Sequence, residues 1–376
     1  MIYKNFQNLR LPTLGLGCMR LPGGRNNFDI DEKATEEMID VAMQNGVNYF
    51  DTAWGYHAGN SEPVVGRILK KYPRDSFFLA SKFPGYDLSN MGKSAEIFPE
   101  QLKRCRTDYF DFYLFHNVCE SNIEEYLNDE KNGDFTYLLE QKKNGRIRHL
   151  GFSAHGNIET MTRFLDAYGE HMEFCQIQLN YLDWSFQDAK GKMELLKSRN
   201  IPVWVMEPVR GGKLANVDGA YADTLKALRP EASPVEWAFR FLQTLPDVFV
   251  TLSGMSDMDQ LKENIRIFSE EKPLSQNEWN ALLSVSDKML EKKTLACTSC
   301  RYCTDHCPME LDIPQLIKLY NEHVFSGGGF IAPMVLSSFT DDKKPSACIG
   351  CQSCEAVCPQ NIKIAQMMTD FTARLK

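Results

Sequence analysis

Eight short apolar runs recur along the first three-quarters of the chain, separated by segments with apolar residues at helical spacing. The runs are TLGLGCM (13–19), VNYFDTA (47–53), FFLASKF (77–83), FDFYLFH (110–116), HLGFSAH (149–155), FCQIQLNY (174–181), IPVWVMEP (201–208) and VFVTLSG (248–254). They are continuous rather than alternating, as expected of parallel strands covered on both faces. Between them lie DEKATEEMIDVAMQNG, SEPVVGRILKKY, FPEQLKRCR, NIETMTRFLDAY, DAKGKMELLKSR, SPVEWAFRFLQT and MDQLKENIRIF, several opening on the Asp or Ser that starts helices. Eight strands alternating with helices over roughly 260 residues predict an α/β fold, a (β/α)8 TIM barrel. A doubly wound open sheet is the competing arrangement. It would place a G-x-G-x-x-G turn after the first strand, and the segment found there, CMRLPGGRNNF, does not fit.

The rest of the chain is dominated by cysteine. Of 12 cysteines, those after residue 296 form two groups with the spacing C-x2-C-x2-C-x3-C-P: Cys297, Cys300, Cys303, Cys307, Pro308, and Cys348, Cys351, Cys354, Cys358, Pro359. Zinc sites usually pair two C-x2-C units across a longer loop. Three close thiolates and a fourth that swings away suit a cuboidal [4Fe–4S] cluster instead, and two copies imply two cubes with exchanged fourth ligands. Cys297, Cys300, Cys303 and Cys358 are therefore assigned to one cluster, and Cys348, Cys351, Cys354 and Cys307 to the other. The stretch resembles bacterial two-cluster ferredoxins, with a long insertion between the groups. The first part of the insertion reads as a helix and SGGGF as a flexible loop. The expected boundaries are 1–272 for the barrel and 273–376 for a helical linker and a small, mainly α, ferredoxin-like domain. Cys18, Cys105, Cys119 and Cys175 stand singly among apolar neighbours and read as core residues.

The net charge of -8 offers no general attraction to nucleic acid or to an anionic membrane surface. No apolar run approaches the ~20 residues that span a bilayer, and MIYKNFQNLRLPTLGLG lacks a signal-peptide pattern. Neither nucleic acid nor membrane is an expected partner, and a cytoplasmic location is the expectation, one in which clustered thiols serve metals.

Barrel chemistry gathers at the C-terminal ends of the strands. Those ends carry Asp51 and Tyr56 after the second run, Lys82 at the third and His116 at the fourth. A carboxylate, a phenol, an amine and an imidazole on neighbouring strands make a proton-delivery set. FDTAWGYHAGNSEPVVGRIL, LASKF, CRTDYFDFYLFH, GFSAHG and QIQLNY, in this order, resemble the aldo-keto reductases over roughly residues 1–270. The resemblance implies that Tyr56 is the general acid, that Lys82 and Asp51 tune it, and that His116 orients a carbonyl. An ammonium beside the phenol is expected to bring its pKa down from ~10 toward neutrality. His57 and His155 are further candidates for the mouth.

The same resemblance implies a nicotinamide dinucleotide, NAD(P)H, across the mouth. Ser153 and Gln176 would contact the carboxamide, Met206 would lie beside the ring, and Glu263 and Asn264 would meet the adenine. EPVRGG and GMSDMD, with Arg210, Gly254, Met255 and Gln260, would receive the phosphates. The chain departs from the family pattern in three places. Ala154 follows the serine where asparagine is usual, Met206 replaces a stacking aromatic residue, and Gly254 and Gln260 stand where basic residues favour a 2′-phosphate. A flavin is the other candidate cofactor, because it would convert between hydride and single electrons. The leading expectation is a reductase of a small-molecule carbonyl, or an oxidase of the matching alcohol. Its clusters are expected to be redox-active and to serve a redox partner protein. The alternatives are a ferredoxin- or flavin-coupled reductase of another bond such as C=C, and an electron-transfer protein with an inactive barrel. HNVCESNIEEYLNDEKNGDF after the fourth run reads as a surface helix or a lid.

Overall fold

A computed structural model describes residues 1–23, 29–217, 219–291, 294–297, 300–301, 303–358 and 360–376. Gly24–Phe28, in the loop after the first apolar run, and Pro359, the second turn proline, lie outside the described residues. The chain divides into two compact units, Met1–Leu283 and Ser284–Lys376.

The first unit opens with β1 (Tyr3–Phe6) and β2 (Leu9–Pro12), an antiparallel hairpin. It continues through β3 (Leu14–Gly17), β4 (Tyr49–Asp51), β5 (Phe78–Phe83), β6 (Phe110–Val118), β7 (Ile147–Ala154), β8 (Cys175–Gln178), β9 (Val203–Met206) and β10 (Val248–Ser253). These last eight close into a barrel in the order β10-β3-β4-β5-β6-β7-β8-β9, every neighbouring pair parallel. Each apolar run supplies one strand, so the closed barrel holds and the open sheet does not. Helices α1 (Glu32–Gln44), α2 (Ser61–Leu69) and α3 (Ser94–Arg104) follow the first three barrel strands. The polar starts work as caps where expected. Asp31 accepts from Ala34 N, and Ser233 accepts from Glu236 N with Pro234 in the first turn. Ser61 differs. Asn60 takes the cap position of α2, and the buried Ser61 hydroxyl lies 2.8 Å from Thr52 Oγ1 and donates to Cys18 O at 2.9 Å, tying the ends of β3 and β4 together.

The hairpin, which the sequence pattern did not announce, packs into the barrel. Phe6 and Leu11 join Tyr49, Phe112, Phe174 and Trp204 in one buried cluster. The Phe6 ring lies 5.2 Å from Trp204 and 5.1 Å from His149, edge-on to both. Trp204 Nε1 satisfies itself on Tyr49 OH at 3.1 Å. Aromatic bulk thus fills the barrel interior around β4, β6 and β9. The segment read as a surface helix or lid forms two short helices, Ile123–Leu127 and Asp129–Asn132, anchored by the buried Tyr126, whose hydroxyl donates to His116 O at 2.7 Å.

The second unit is helical, with helices Ile313–Ser326, Ile331–Leu336, Ser353–Ala356 and Ile364–Arg374 around a core that includes Leu316, Ile317, Met367, Met368 and Phe371. Asp312 caps the first of these helices, and Gly327 ends it in the left-handed conformation at φ 68°, which glycine alone adopts without strain. The glycine run expected as a loop connects this helix to the next, which starts at Ile331. Among the described residues no helix is long and apolar enough to cross a membrane.

Candidate active site

Asp51 ends β4, and the chain passes through Thr52 to a tight turn at Tyr56–Gly59. Lys82 sits one strand along, in β5, with 0% exposure. Its ammonium has three protons and three acceptors: Asp51 Oδ1 at 2.6 Å, Thr52 O at 2.9 Å and Tyr56 OH at 3.1 Å. The His116 ring, from β6, meets the Tyr56 ring edge-on at 6.0 Å, and Tyr86 from the loop after β5 stands edge-on to His116 at 5.1 Å. The barrel therefore brings Asp51, Tyr56, Lys82 and His116 to one place.

Burial governs the electrostatics. It works to depress the Lys82 ammonium, but Asp51 and Tyr56 outweigh it and hold the group above the ordinary lysine value. It pushes the Asp51 carboxyl up while Lys82 pulls it back. With Nζ at 2.6 Å, the ionised pair is the state the geometry supports. For Tyr56, burial pushes the phenol above its ordinary value, and the opposing pull of Lys82 is too small to reverse this. The expected lowering toward neutrality is thus corrected: Lys82 pulls as anticipated, but the buried phenol loses more hydration than one ammonium replaces. His116 is driven well below the usual histidine range by burial, Lys82 and His155, so its imidazole is neutral, and its Nδ1 is buried without a hydrogen-bond partner. His155 is lowered to about 4 by burial and Lys192. His57 is buried, and its Nε2 accepts from Leu21 N at 3.1 Å, which engages the loop after β3.

The residues assigned to the dinucleotide divide by placement. Ser153 and Gln176 are buried and paired in register on β7 and β8. Ser153 Oγ accepts from Asn117 N at 2.8 Å, and Gln176 Oε1 is buried with no partner. Met206 ends β9 opposite Gln178. Arg210 is buried, with Nε 3.1 Å from both oxygens of Asp183, whose Oδ2 also accepts from Gln178 and Asn180, so it braces the loop after β9. Met255 is buried, and Gly254 would place a Cβ within 3.3 Å of the Arg20 side chain. Gln260 is turned onto its own helix start, donating to Asp257 Oδ2 at 2.7 Å and accepting from Ser256 N at 3.0 Å. Glu263 accepts from Ser233 Oγ, and the buried Asn264 amide donates to Ser253 Oγ at 3.0 Å.

Sequence reasoning passed over three charged side chains here. Arg20 lies between the loops after β9 and β10. Its Nη2 is 3.7 Å from Glu207 and would be 3.3 Å from a Cβ on Gly211, and its carbonyl accepts from Ser256 Oγ. The MRLP context gave no spacing signal for it. Arg104 pairs with the buried Glu62 and reaches the turn that carries Tyr56. A glutamate within the apolar run SEPVVG was the available clue.

In the second unit the eight clustered thiols sort into two cavities. One is lined by Cys297, Cys300, Cys303 and Cys358 with Arg301, Ile317 and Ile362. The other is lined by Cys307, Cys348, Cys351 and Cys354 with Met309, Leu311 and Met368. Cys358 thus lies with the first group and Cys307 with the second. Burial pushes the Cys303 and Cys354 thiols up to about 11. Among the described residues no three His, Cys, Asp or Glu side chains converge as they would on a single ion. Four thiols around a void is the arrangement that a four-iron cube requires.

Comparison with known proteins agrees with this division. The sequence profile of the aldo/keto reductase family matches residues 13–287, and that of a 4Fe-4S dicluster domain matches residues 296–362. An NADH-specific methylglyoxal reductase of Escherichia coli (strain K12) is 26% identical over 302 residues, covering 69% of this chain and 90% of that protein. An uncharacterized oxidoreductase, YqkF, of Bacillus subtilis (strain 168) is 25% identical over 309 residues, covering 74% and 93%. Among solved structures, the holo form of aldo-keto reductase AKR11C1 from Bacillus halodurans superposes with a TM-score of 0.61 at 24% identity, covering 76% of this chain and 96% of that one. A Klebsiella pneumoniae aldo-keto reductase in complex with NADPH gives 0.61 at 20% identity over the same shares.

Proposed function

The chain belongs to the aldo/keto reductase family, and on that premise we propose that it reduces a small-molecule carbonyl, or oxidises the matching alcohol, with Tyr56 as proton donor and a nicotinamide dinucleotide as hydride source. At the level the relatives support, it is an oxidoreductase with a C-terminal 4Fe–4S dicluster domain. The observation that carries the finer reading is the Lys82 ammonium, hydrogen-bonded at once to the Asp51 carboxylate and the Tyr56 hydroxyl.

A bound nicotinamide supplies a hydride to the carbonyl carbon. The balancing proton passes from Tyr56 to the carbonyl oxygen, so the C=O π bond is replaced by a C–H and an O–H bond and a phenolate remains. Lys82, 3.1 Å away, stabilises that phenolate, and Asp51 keeps the fully buried Lys82 charged. His116, neutral, orients the carbonyl oxygen beside the phenol. Such donors are worth on the order of 3 kcal/mol each to an oxyanionic transition state.

Ser153 and Gln176 suit a carboxamide, which offers both a donor and an acceptor. The unpartnered Gln176 Oε1 is the group that would accept from its amide. Arg20 is the cation presented to the dinucleotide phosphates. The helix start at Asp257 offers a carboxylate where a 2′-phosphate would need a cation, which favours NADH over NADPH. Two [4Fe–4S] clusters, held by Cys297, Cys300, Cys303 and Cys358 and by Cys307, Cys348, Cys351 and Cys354, would supply single-electron exchange with a redox partner protein. Thiols kept for iron suit a reducing, cytoplasmic setting.

Steady-state reduction of carbonyls by NADH, beginning with methylglyoxal, tests the reading. Tyr56→Phe is expected to lower turnover by ~100-fold or more while leaving NADH binding unchanged in a fluorescence titration. Full turnover in that variant would overturn it.

A further inference from the structure

The turn that carries Tyr56 is conformationally unfavourable and is held by a second ion pair, whose carboxylate is buried. We propose that this pair, Arg104 with Glu62, positions the Tyr56 hydroxyl against Lys82 for proton transfer. The proposal rests on the reading of Tyr56 as the proton donor.

Directly after Tyr56, His57 (φ 51°, ψ 46°) and Ala58 (φ 52°, ψ 34°) are both left-handed, and Gly59 follows at φ 91°. Two consecutive non-glycine residues in this region persist only where the surroundings over-determine them. Arg104, the last residue of α3, supplies that constraint from both ends. Its Nη2 donates to Trp54 O at 3.3 Å, before Tyr56, and to Gly59 O, after it. Its guanidinium lies over the Trp54 ring, 4.3 Å from the centroid. Gly59 leaves room for this contact, since a Cβ there would stand 3.1 Å from Nη2.

Arg104 is itself held by Glu62, with Nη1 3.2 Å from an Oε2 that is entirely buried. The other oxygen, Oε1, accepts from Ser81 Oγ at 2.6 Å and from Gln101 Nε2 at 2.6 Å. Ser81 precedes Lys82 in β5, and the Gln101 amide also donates to Lys82 O at 3.0 Å. Tyr113 OH fixes the Gln101 amide in turn, donating to Oε1 at 2.5 Å. One carboxylate therefore refers the turn of Tyr56 and the backbone of Lys82 to the same point. A buried carboxylate is costly unless paired; Oε2 has no hydrogen bond and relies on the charge of Arg104, while the partners of Oε1 stand on β5 beside Lys82 and on α3 beside Arg104. A planar guanidinium can serve two carbonyls and a carboxylate at once, whereas a lysine ammonium cannot span them.

The charged and titratable groups around Tyr56 are Lys82 and Asp51 at its hydroxyl, Cys18 beneath it and His116 against its ring, with Arg104 and Glu62 behind the turn. Arg104→Lys keeps a charge for Glu62 and loses the fork. The relaxed turn lets water reach the phenol. In NMR titration of the protein labelled at the tyrosine Cζ, with the Tyr56 signal identified by its absence in Tyr56→Phe, wild-type Tyr56 is expected to titrate above free tyrosine. In Arg104→Lys its titration should move down toward the free-tyrosine value. The turnover number is expected to fall ~10-fold or more from misplacement of the donor, with the NADH dissociation constant unchanged. Glu62→Gln, which keeps an acceptor for Ser81 and frees Arg104, should shift Tyr56 in the same direction and serves if Arg104→Lys does not fold. The two readings fail separately. Turnover retained in Tyr56→Phe sinks the donor role, whereas a Tyr56 titration that overlays the wild type in the folded brace variants sinks the brace.

Discussion

Lys82→Met removes the ammonium from between Asp51 and Tyr56, and its stability cost follows from burial. Asp51 is 3% exposed, Lys82 is its ion-pair partner at 2.6 Å, and Asp51 Oδ2 already lacks a hydrogen bond. Once the lysine is gone, the carboxylate must either stay charged and unpaired or take up a proton. Leaving an uncompensated buried charge costs about 3–5 kcal/mol. Protonation at pH 7, against an unfolded value near ~3.9, costs about 1.4 kcal/mol per pH unit over roughly three units, or about 4 kcal/mol. The two routes agree. For a barrel of this size that corresponds to a drop in Tm of roughly 5–8 °C. In the variant the folded-state pKa of Asp51 lies above the unfolded one. The stability it contributes is therefore present near pH 4 and is lost as pH rises. Thermal unfolding followed by circular dichroism at several pH values is expected to show Lys82→Met close to wild type at about pH 4.5 and falling behind toward pH 7. The double variant with Asp51→Asn should lose that dependence. A Lys82→Met midpoint that matches wild type at every pH would mean that Asp51 is not a desolvated counter-ion, and the electrostatic account of Tyr56 would fail with it.

Arg20→Met is expected to weaken NADH binding by roughly 10-fold or more, the loss of one charge-assisted contact, as read by fluorescence titration; unchanged binding would remove Arg20 from the phosphate site. Cys358→Ala, purified anaerobically, should keep about half of the iron and sulfide. Combining it with Cys300→Ala should cost no more, whereas combining it with Cys351→Ala should remove the rest; the reverse pattern would refute the exchanged fourth ligands.

What was legible in the sequence was what local spacing determines. Parallel strands buried on both faces write themselves as continuous apolar runs, and eight of them could close only one way once the phosphate-loop signature of an open sheet was missing. The cysteine spacing carried its own geometry, down to the cavity in which Cys358 lies. The hairpin β1–β2 was hard to read because its two-residue turn, Gln7–Asn8, puts Gln7 at φ 52° where glycine is usual, leaving Asn8 as its one turn signal. Arg210, read as a cofactor residue from its place in EPVRGG, also pairs with Asp183, which follows the neighbouring strand β8, a contact that local spacing does not announce. Arg20, Glu62 and Arg104 were missed for the same reason. Each belongs to the site through partners on other elements, and in its own neighbourhood only the apolar setting of Glu62 in SEPVVG hinted at this.

The sign of the Tyr56 shift is the most consequential of these non-local properties, and it decides how the reaction should respond to pH. Sequence proximity of a lysine argues for a lowered phenol, yet desolvation depends on every residue packed around the ring, and it prevails. A phenol held above its ordinary value is protonated throughout the neutral range, and His116, held well below its own, is neutral there. Carbonyl reduction needs Tyr56 protonated and His116 neutral, so kcat/KM for reduction is expected to be flat between about pH 6 and 9. Alcohol oxidation needs the same phenol to lose its proton first. Its rate should rise roughly 10-fold per pH unit across the same interval, because each unit increases the phenolate fraction tenfold below the pKa. Measuring both directions on one substrate pair, with cluster content held constant, checks the argument without knowledge of the physiological substrate. A reduction rate that falls through a midpoint near pH 7 would show a group in the site titrating where none should. Burial would then not be the dominant influence on Tyr56.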